Sequence, residues 1–209
     1  MTQPSGTVFI VDDDEGVRSS VTILLESSGH RARAFGAAAD FLAQYDPDQP
    51  GCLLLDLRMP GMDGMELQRE LVSRHALLPV IFVTGHGDVP MAVEAMKNGA
   101  FDFLQKPFGH AELLERVRRA LAADAEARAD AARRDEIQRR YATLTPRERE
   151  VMAMIVDGRA NKVIAIDLSL SERTVEIHRS RVMEKMGTRS VAHLVRLALA
   201  LRPAADPAA

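Results

Sequence analysis

Thr7-Val8-Phe9-Ile10-Val11-Asp12-Asp13-Asp14 is an apolar run that ends in three carboxylates. A second apolar run, residues 52–55, ends in Asp56, and a third, residues 80–83, ends in Thr84. A fourth run, residues 101–104, comes just before Lys106-Pro107. Open α/β sheets build their sites at the carboxyl ends of parallel strands, so these polar side chains are predicted to meet at one sheet edge.

Short apolar runs alternate with helical patterns throughout the first half of the chain. The runs lie near residues 7–11, 31–35, 52–56, 79–84 and 101–104. Near-continuous apolar strands separated by amphipathic segments are typical of a parallel sheet that is covered by helices on both faces. We therefore predict a doubly wound, flavodoxin-like α/β domain with five parallel strands over residues 5–123.

A long helix is predicted next, because residues 110–145 contain neither glycine nor proline. Acidic residues precede basic ones by four positions, and each such pair stabilises a helix by about 0.2–0.5 kcal/mol. We expect this helix to begin docked on the first domain and to continue as a solvated connector, with the helical linker over residues 124–140. Weak pairing with another copy of the chain is the alternative. The pairs are Asp124 with Arg128, Asp130 with Arg134, Asp135 with Arg139 and Glu136 with Arg140.

The rest of the chain predicts four helices. Thr145-Pro146-Arg147-Glu148 matches a capping box with proline at the first helical position, and Gly158 offers a stop. A short helix near 162–168, a turn at 169–171, a helix over 172–186 and a last helix over 191–201 follow. We predict an all-α unit with a helix-turn-helix over residues 141–203 and a disordered tail over 204–209.

Charge differs between the two halves of the 209-residue chain. Residues 1–121 carry a net charge of −6 and residues 122–209 a net charge of +3. This division indicates that the acidic first half binds a cation and that the basic second half binds the phosphate backbone of a nucleic acid. An uneven distribution of surface charge without functional meaning is the alternative.

The remaining composition points to an ordinary protein of the cytoplasm. The single cysteine, Cys52, lies in an apolar run and is expected to be a small core residue. Neither a leader pattern nor an apolar stretch of the roughly 18 residues that a membrane span needs is present. We therefore expect a cytoplasmic protein without a membrane partner.

Carboxylates that converge at strand ends repel one another unless a cation intervenes, and oxygen-only ligands favour Mg²⁺. The hydroxyl of Thr84 and the ammonium of Lys106 add what a phosphoryl group in transfer needs, with Asp56 as the nucleophile that forms an acyl phosphate. Taken singly, the aspartates after Val11 also fit a solvated turn, and Asp56 a polar strand end.

Four strings together resemble the receiver domain of bacterial two-component response regulators: VDDD at 11–14, DLRMPGMDG at 56–64, TGH at 84–86 and KPF at 106–108. The resemblance implies that Asp56 is the phosphoacceptor. It also implies that Asp13, Asp56 and the Arg58 carbonyl bind Mg²⁺ with Asp12 in support. Lys106 would contact the phosphoryl group, with a cis bond to Pro107, and Thr84 and Phe103 would form the switch.

The helix over 172–186 has two different faces. Val175, His178, Val182 and Met186 fall on one, with His178 expected to be structural. The opposite face carries Arg173, Glu176, Ile177, Ser180, Arg181 and Glu184. Such side chains suit the DNA major groove, where arginine binds guanine or phosphate and an apolar group meets the thymine methyl. A plain mixed-charge surface helix is the alternative.

LTPREREV at 144–151, NKVIA at 161–165 and SERTVEIHR at 171–179 resemble the LuxR-type DNA-binding domain, over about residues 139–203. Distant members often have a basic residue where Glu176 stands, so base preference does not carry over. The predicted DNA contacts are Asn161, Lys162, Arg173, Thr174, Glu176, Ile177, Ser180, Arg181 and Lys185.

Both resemblances together imply a response regulator of the FixJ subgroup. Such a protein accepts a phosphoryl group from a histidine kinase, dimerises when phosphorylated, binds promoter DNA and meets RNA polymerase. Its only catalysis is its own phosphorylation and dephosphorylation, and Val93 and Lys97 would line the homodimer contact. Two alternatives are a metal-dependent phosphohydrolase, which typically has a second acid where Arg58 stands, and a protein-binding module.

Overall fold

The computed structural model describes residues 6–85 and 89–201 of the chain. It divides into two compact units, and the boundary lies between Arg128 and Ala129, inside the predicted linker. The predicted tail at 204–209 and residues 86–88 of the receiver-like loop lie outside the described residues. Among the described residues, no helix is long and apolar enough to cross a membrane.

The first unit contains the predicted five-stranded parallel sheet, in the order β2-β1-β3-β4-β5. The predicted fold class is thereby confirmed. The strands are β1 (Thr7–Val11), β2 (Arg31–Phe35), β3 (Gly51–Asp56), β4 (Val80–Thr84) and β5 (Asp102–Gln105). The helices between them are α1 (Glu15–Ser27), α2 (Ala38–Gln44), α3 (Gly64–Ser73) and α4 (Val89–Lys97).

Burial of the three central strands explains their continuous apolar character. Every residue of β1, β3 and β4 is buried, and successive side chains pack on opposite faces of the sheet. Phe9, Leu53 and Phe82 belong to one core, and Ile10, Leu54, Cys52 and Ile81 to the other. The sheet is therefore held from both sides, with its polar residues left for the strand ends.

The next helix, α5 (His110–Ala142), corrects one prediction. Asp124 was expected on a solvated connector, but it is 1% exposed. Its carboxylate accepts the Gly51 amide at 3.0 Å and the Arg128 Nε at 2.9 Å. Arg128 also donates to the carbonyls of Pro47 and Gln49. The first unit thus holds α5 up to Arg128.

Farther along α5, two of the four predicted ion pairs have different partners. Glu136 binds Arg140 as expected, and Asp124 binds Arg128. Arg139 pairs with Glu136 rather than with Asp135, and Asp130 pairs with Arg133 rather than with Arg134. Side chains three residues apart lie on the same helix face, just as side chains four residues apart do.

The second unit contains the end of α5 and four helices: α6 (Pro146–Val156), α7 (Asn161–Asp167), α8 (Glu172–Lys185) and α9 (Val191–Ala200). Its core is formed by Ile137, Val151, Ile155, Ile164, Val175, Val182 and Leu194. The predicted capping box joins Thr145 and Glu148 in both directions, and Ser171 caps α8. Gly158 ends α6 with a φ of 77°, a conformation that glycine adopts most easily.

Candidate functional site

The polar residues at the strand ends meet as predicted, and Lys106 joins two of them. Its Nζ lies 2.7 Å from Asp12 Oδ2, just after β1, and 2.7 Å from Asp56 Oδ1, at the end of β3. Thr84, the last residue of β4, is buried, and its carbonyl accepts the Lys106 amide at 2.7 Å. The bond between Lys106 and Pro107 is cis.

The three consecutive aspartates have different environments. Asp12 is 2% exposed, and its Oδ1 accepts the amide of Asp14 at 2.9 Å. Asp14 caps α1 by accepting the amides of Gly16 at 2.7 Å and Val17 at 3.1 Å. Asp13 is exposed. Sequence reasoning overlooked the role of Asp14, although an aspartate before an amphipathic run is a recognised helix start.

The loop that follows Asp56 is anchored at both ends. Asp56 Oδ2 accepts the Arg58 amide at 2.7 Å. At the other end, Asp63 and Glu66 form a capping box at the start of α3, and the Gly64 amide donates to the Leu57 carbonyl. A β-carbon on Gly64 would overlap with the Asp56 carbonyl oxygen, so the close approach requires glycine.

Burial and the contacts with Lys106 have opposite effects on the pKa of Asp56, and burial and the carboxylates have opposite effects on that of Lys106. Burial raises the pKa of Asp56, while the hydrogen bond and the charge of Lys106 act in the opposite direction. Burial opposes the charge of Lys106, but hydrogen bonds to Asp12 and Asp56 raise its pKa above the ordinary value. Lys106 therefore remains a cation at neutral pH and offsets part of the negative charge of the two carboxylates.

The donor set fits a magnesium ion with few protein ligands. Among residues 6–85 and 89–201, no group of three or more His, Cys, Asp or Glu side chains is arranged to hold a metal. Mg²⁺ keeps several waters and usually takes one or two carboxylates, which Asp13, Asp56 and the Arg58 carbonyl could supply. Both oxygens of Asp12 already accept hydrogen bonds, from Lys106 and from the Asp14 amide.

The residues of the predicted switch and dimer contact lie on β5 and α4. The Phe103 side chain is 39% exposed on β5. Val93 on α4 is 51% exposed, Met96 is 41% exposed, and Lys97 is exposed at the end of the same helix. These residues give the unit an apolar surface with a charged end.

In the second unit, α8 has the two predicted faces. Val175, Val182 and Met186 are buried, and the Nδ1 atom of His178 is buried on the same side. The other face leaves five of the predicted DNA contacts exposed, namely Arg173, Glu176, Ile177, Ser180 and Arg181. Thr174 is half-buried beside the cap residue Ser171. On α7, Lys162 is exposed and Asn161 is half-buried.

Lys185, another predicted DNA contact, has partners within the unit. Its Nζ lies 2.6 Å from Glu148 Oε2 and donates to the Thr143 carbonyl at 3.1 Å. The ammonium therefore has two partners within the unit, while its predicted contact with DNA stays a prediction. The sequence shows Glu148 as a capping residue but does not show that it is buried.

Comparison with known families assigns both units. Residues 8–118 match the family described as response regulator receiver domain, and residues 142–198 match the luxR family of bacterial regulatory proteins. The chain belongs to the response regulators with a LuxR-type DNA-binding domain. It is thus a two-component response regulator that controls transcription, which confirms the resemblance drawn from the sequence.

Relatives of this response regulator match over most of its length. Transcriptional regulatory protein FixJ of Azorhizobium caulinodans is 50% identical over 192 residues, which are 92% of this chain and 91% of that protein. FixJ of Rhizobium meliloti is 49% identical, over 93% and 95%. Among solved structures, the response regulator StyR matches with a TM-score of 0.86 and 43% identity, over 93% and 98% of the two chains. Full-length FixJ from B. japonicum matches with a TM-score of 0.57 and 41% identity, over 94% and 97%.

Proposed function

We propose that this response regulator accepts a phosphoryl group from a histidine kinase on Asp56 and then binds promoter DNA as a dimer. The observation that carries the proposal is the contact of Lys106 with both Asp12 and Asp56, at 2.7 Å each. A carboxylate held beside a cation at the carboxyl edge of a parallel sheet is suited to receive a phosphoryl group.

The chemistry is a transfer from nitrogen to oxygen. An Asp56 carboxylate oxygen attacks the phosphorus of a phosphohistidine, a phosphorus–oxygen bond forms, and the phosphorus–nitrogen bond breaks with its electron pair on the imidazole. Mg²⁺ bound by Asp13, Asp56 and the Arg58 carbonyl would neutralise charge on the phosphoryl oxygens. Lys106 exchanges its contact with Asp56 for a phosphoryl oxygen, and the Thr84 hydroxyl donates to another.

A hydrolase is the weaker alternative. Phosphohydrolases that form an aspartyl phosphate typically have a second acid two residues after the nucleophile, and this chain has Arg58 there. A guanidinium does not serve as a general acid or base at neutral pH, because it keeps its proton there. We therefore propose that the acyl phosphate serves as a signal and that the receiver turns over only its own phosphate.

Intact-mass measurement tests the phosphoacceptor. The full chain with Mg²⁺ and acetyl phosphate is expected to gain one phosphoryl group, whereas Asp56→Asn is expected to gain none because its amide is not a nucleophile. Asp48→Asn, at an exposed position, is the matched control and should behave as the wild type. Full phosphorylation of Asp56→Asn would contradict the proposal, and an unchanged rate in Asp13→Ala at limiting metal would remove Asp13 as a ligand.

Dimerisation is the proposed response to phosphorylation. Movement of Thr84 toward the phosphoryl group would leave space for the exposed Phe103 ring to turn inward and reshape the surface of α4 and β5. Val93 and Lys97, an apolar and a charged group four residues apart on α4, would then contact a second copy.

Sedimentation tests this dimer. The wild type should dimerise when beryllofluoride and Mg²⁺ are added, and Val93→Asp should stay monomeric because it buries a charge in the contact. Ile23→Asp is the matched control, since Ile23 is 67% exposed on α1, away from α4. A wild type that stays monomeric, or a Val93→Asp variant that dimerises normally, would contradict the mechanism.

Sequence-specific DNA binding is assigned to the exposed face of α8. Ile177 and Glu176 are proposed to contact bases, while Arg181, Lys162 and Asn161 contact phosphates. A dimer places two copies of α8 on half-sites about 34 Å apart, one helical turn of DNA, and RNA polymerase is the expected partner at the promoter. Each copy of α8 in the dimer would thus contact the bases of one half-site.

Salt dependence separates the two kinds of contact. Arg181→Ala is expected to weaken binding to all duplexes and to reduce the salt slope by about 1.8, the value for two lost phosphate contacts, one from each copy in the dimer. Ile177→Ala is expected to alter sequence preference and keep the slope. Arg134→Ala, at an exposed position of α5, is the charge-matched control. Equal effects of Ile177→Ala on specific and random DNA would remove it from base recognition.

A further inference from the structure

Two cations at the C-terminal end of α8, Arg140 and Lys185, have hydrogen-bond partners within the second unit. Arg140 Nη1 donates to the Met186 carbonyl at 3.3 Å, and Lys185 Nζ lies 2.6 Å from Glu148 Oε2. Lys185 also donates to the Thr143 carbonyl. Positive groups at a helix C-terminus are favourable because they meet its free carbonyls. We call Arg140, Glu148 and Lys185 the α8 clamp.

Glu148 links the position of α8 to that of α6. It is 2% exposed, and its Oε2 accepts both the Lys185 ammonium and, at 2.9 Å, the Thr145 amide that starts α6. One oxygen atom thus fixes the beginning of α6 and the end of α8. A small displacement of α8 would leave the buried carboxylate of Glu148 without its cation.

Arg140 links α8 to the last turn of α5. Its Nε binds Glu136 at 2.8 Å, which orients the guanidinium toward Met186. The residue after Met186 is Gly187, with a φ of 66°. A β-carbon there would overlap with Arg140 Nη1, so the missing side chain makes room for the guanidinium. Gly187 thus ends α8 in a conformation that glycine adopts most easily, and the Arg140 guanidinium lies against it.

We propose that Arg140, Glu148 and Lys185 are positioning residues for sequence-specific DNA recognition: they fix how α8 presents its exposed face and contact no DNA themselves. The proposal rests on the proposed reading of DNA by α8. Base contacts need side chains held within about 0.5 Å of the productive geometry, whereas phosphate attraction tolerates displacement. Loss of the clamp is expected to lower specific binding and to leave non-specific binding unchanged.

A matched pair of substitutions tests the clamp. Arg139 and Arg140 both bind Glu136, but among the described residues only Arg140 of these two contacts the end of α8. Arg139→Met and Arg140→Met therefore remove the same charge and differ in the contact with Met186. Arg140 is also 40% exposed, so its replacement should leave the unit folded.

Binding is measured on the full chain with beryllofluoride and Mg²⁺, using a duplex that the wild type enriches from a random pool and a scrambled duplex. Arg140→Met is expected to lower the ratio of specific to scrambled affinity by about 2- to 10-fold, the effect of one hydrogen bond, with an unchanged salt slope. Arg139→Met is expected to keep the wild-type ratio. Equal ratios in the two variants, even with a lower melting temperature for Arg140→Met, would overturn the proposal.

Lys185 and Glu148 provide a second test. Lys185→Met and Glu148→Gln should lower the same ratio, and the double variant should lose no more than the larger single loss, because both remove one ion pair. A reduced salt slope in Lys185→Met alone would identify a phosphate contact and overturn the assignment of Lys185. The Arg140 comparison remains decisive if Lys185→Met does not fold.

Failure of the clamp can be separated from failure of the proposed function. Ile177→Ala, measured beside the clamp variants, should lower the specific-to-scrambled ratio because it changes the reading face directly. A lowered ratio in Ile177→Ala with a wild-type ratio in Arg140→Met would overturn the clamp alone. An unchanged ratio in Ile177→Ala would overturn DNA reading by α8, and the clamp with it.

Discussion

Arg128→Met is expected to destabilise the first unit far more than the loss of a surface ion pair would. Asp124 and Arg128 lie four residues apart on α5, but their side chains are only 2% and 18% exposed. Arg128 contributes bonds of 2.9 and 3.0 Å to the carboxylate and two more to the Pro47 and Gln49 carbonyls. The variant leaves the buried Asp124 with the Gly51 amide as its remaining donor among these contacts.

The magnitude follows from this burial. Breaking a buried pair from one side costs about 3–5 kcal/mol, whereas an exposed pair at this spacing contributes about 0.2–0.5 kcal/mol. Because Gly51 still donates to Asp124, we expect a loss near the lower limit, about 3 kcal/mol in the free energy of unfolding.

The loss should also depend on pH. Burial raises the pKa of Asp124, and the charge and hydrogen bonds of Arg128 act against that rise. Without Arg128 the folded-state pKa moves farther above the unfolded value of about 3.9, so ionisation of Asp124 destabilises the fold as the pH rises. The deficit of the variant is therefore expected to be largest at neutral pH and to shrink in acid.

Urea unfolding measures the deficit in the first unit alone. The chain has two tyrosines, so Tyr141→Phe leaves Tyr45, in the first unit, as the fluorescent reporter. Arg74→Met, which removes a 47% exposed arginine of the first unit that pairs with Glu70 at the same spacing of four, is the control and should change stability by less than about 0.5 kcal/mol. A deficit below about 1 kcal/mol for Arg128→Met at neutral pH, or one that does not change with pH, would refute the buried network.

Three other outcomes follow from the two units. Thr84→Val should still be phosphorylated on Asp56 but should lose dimerisation with beryllofluoride, and normal sedimentation would exclude Thr84 from the switch. Lys106→Met should raise the pKa of Asp56 further, because the hydrogen bond from Lys106 lowers it. The pH profile of the rate of phosphorylation by acetyl phosphate should therefore move to higher pH. An unchanged profile would contradict this. The hydrogen bond from Lys185 lowers the pKa of Glu148 in the folded protein. Ionised Glu148 therefore stabilises the fold above its unfolded pKa of about 4.3, and this stabilisation is lost as the pH falls through the folded pKa. In urea titrations, the deficit of Glu148→Gln should accordingly shrink below about pH 4, and a constant deficit would argue against the ion pair.

The fold and the meeting of polar residues at one sheet edge could be predicted because their signals are local. A central parallel strand is buried on both faces, so β1, β3 and β4 appear as continuous apolar runs. Parallel strands also end at the same edge, which brings together Asp12, Asp56 and Lys106 from distant positions. The order of apolar runs and of the polar residues that end them therefore predicts which side chains meet at the candidate site.

The burial of charged residues could not be predicted in the same way. Asp124 and Arg128 have the spacing of a surface pair, and the amide that receives Asp124, that of Gly51, lies 73 residues away in the sequence. The helical spacing assigns Lys185 to the exposed face of α8, but its ammonium binds Glu148, which lies 37 residues away in the sequence. Periodicity assigns a side chain to a helix face, whereas its ion partner depends on tertiary packing.

We propose that a phosphoryl group on Asp56 increases the affinity of the protein for DNA. The most direct test is the affinity of the full chain for its enriched duplex, measured with Mg²⁺ before and after treatment with acetyl phosphate, in the wild type and in Asp56→Asn. We predict an increase of at least about tenfold in the wild type, through dimerisation on two half-sites, and none in the variant. The same increase in Asp56→Asn, or no increase in a fully phosphorylated wild type, would contradict the account.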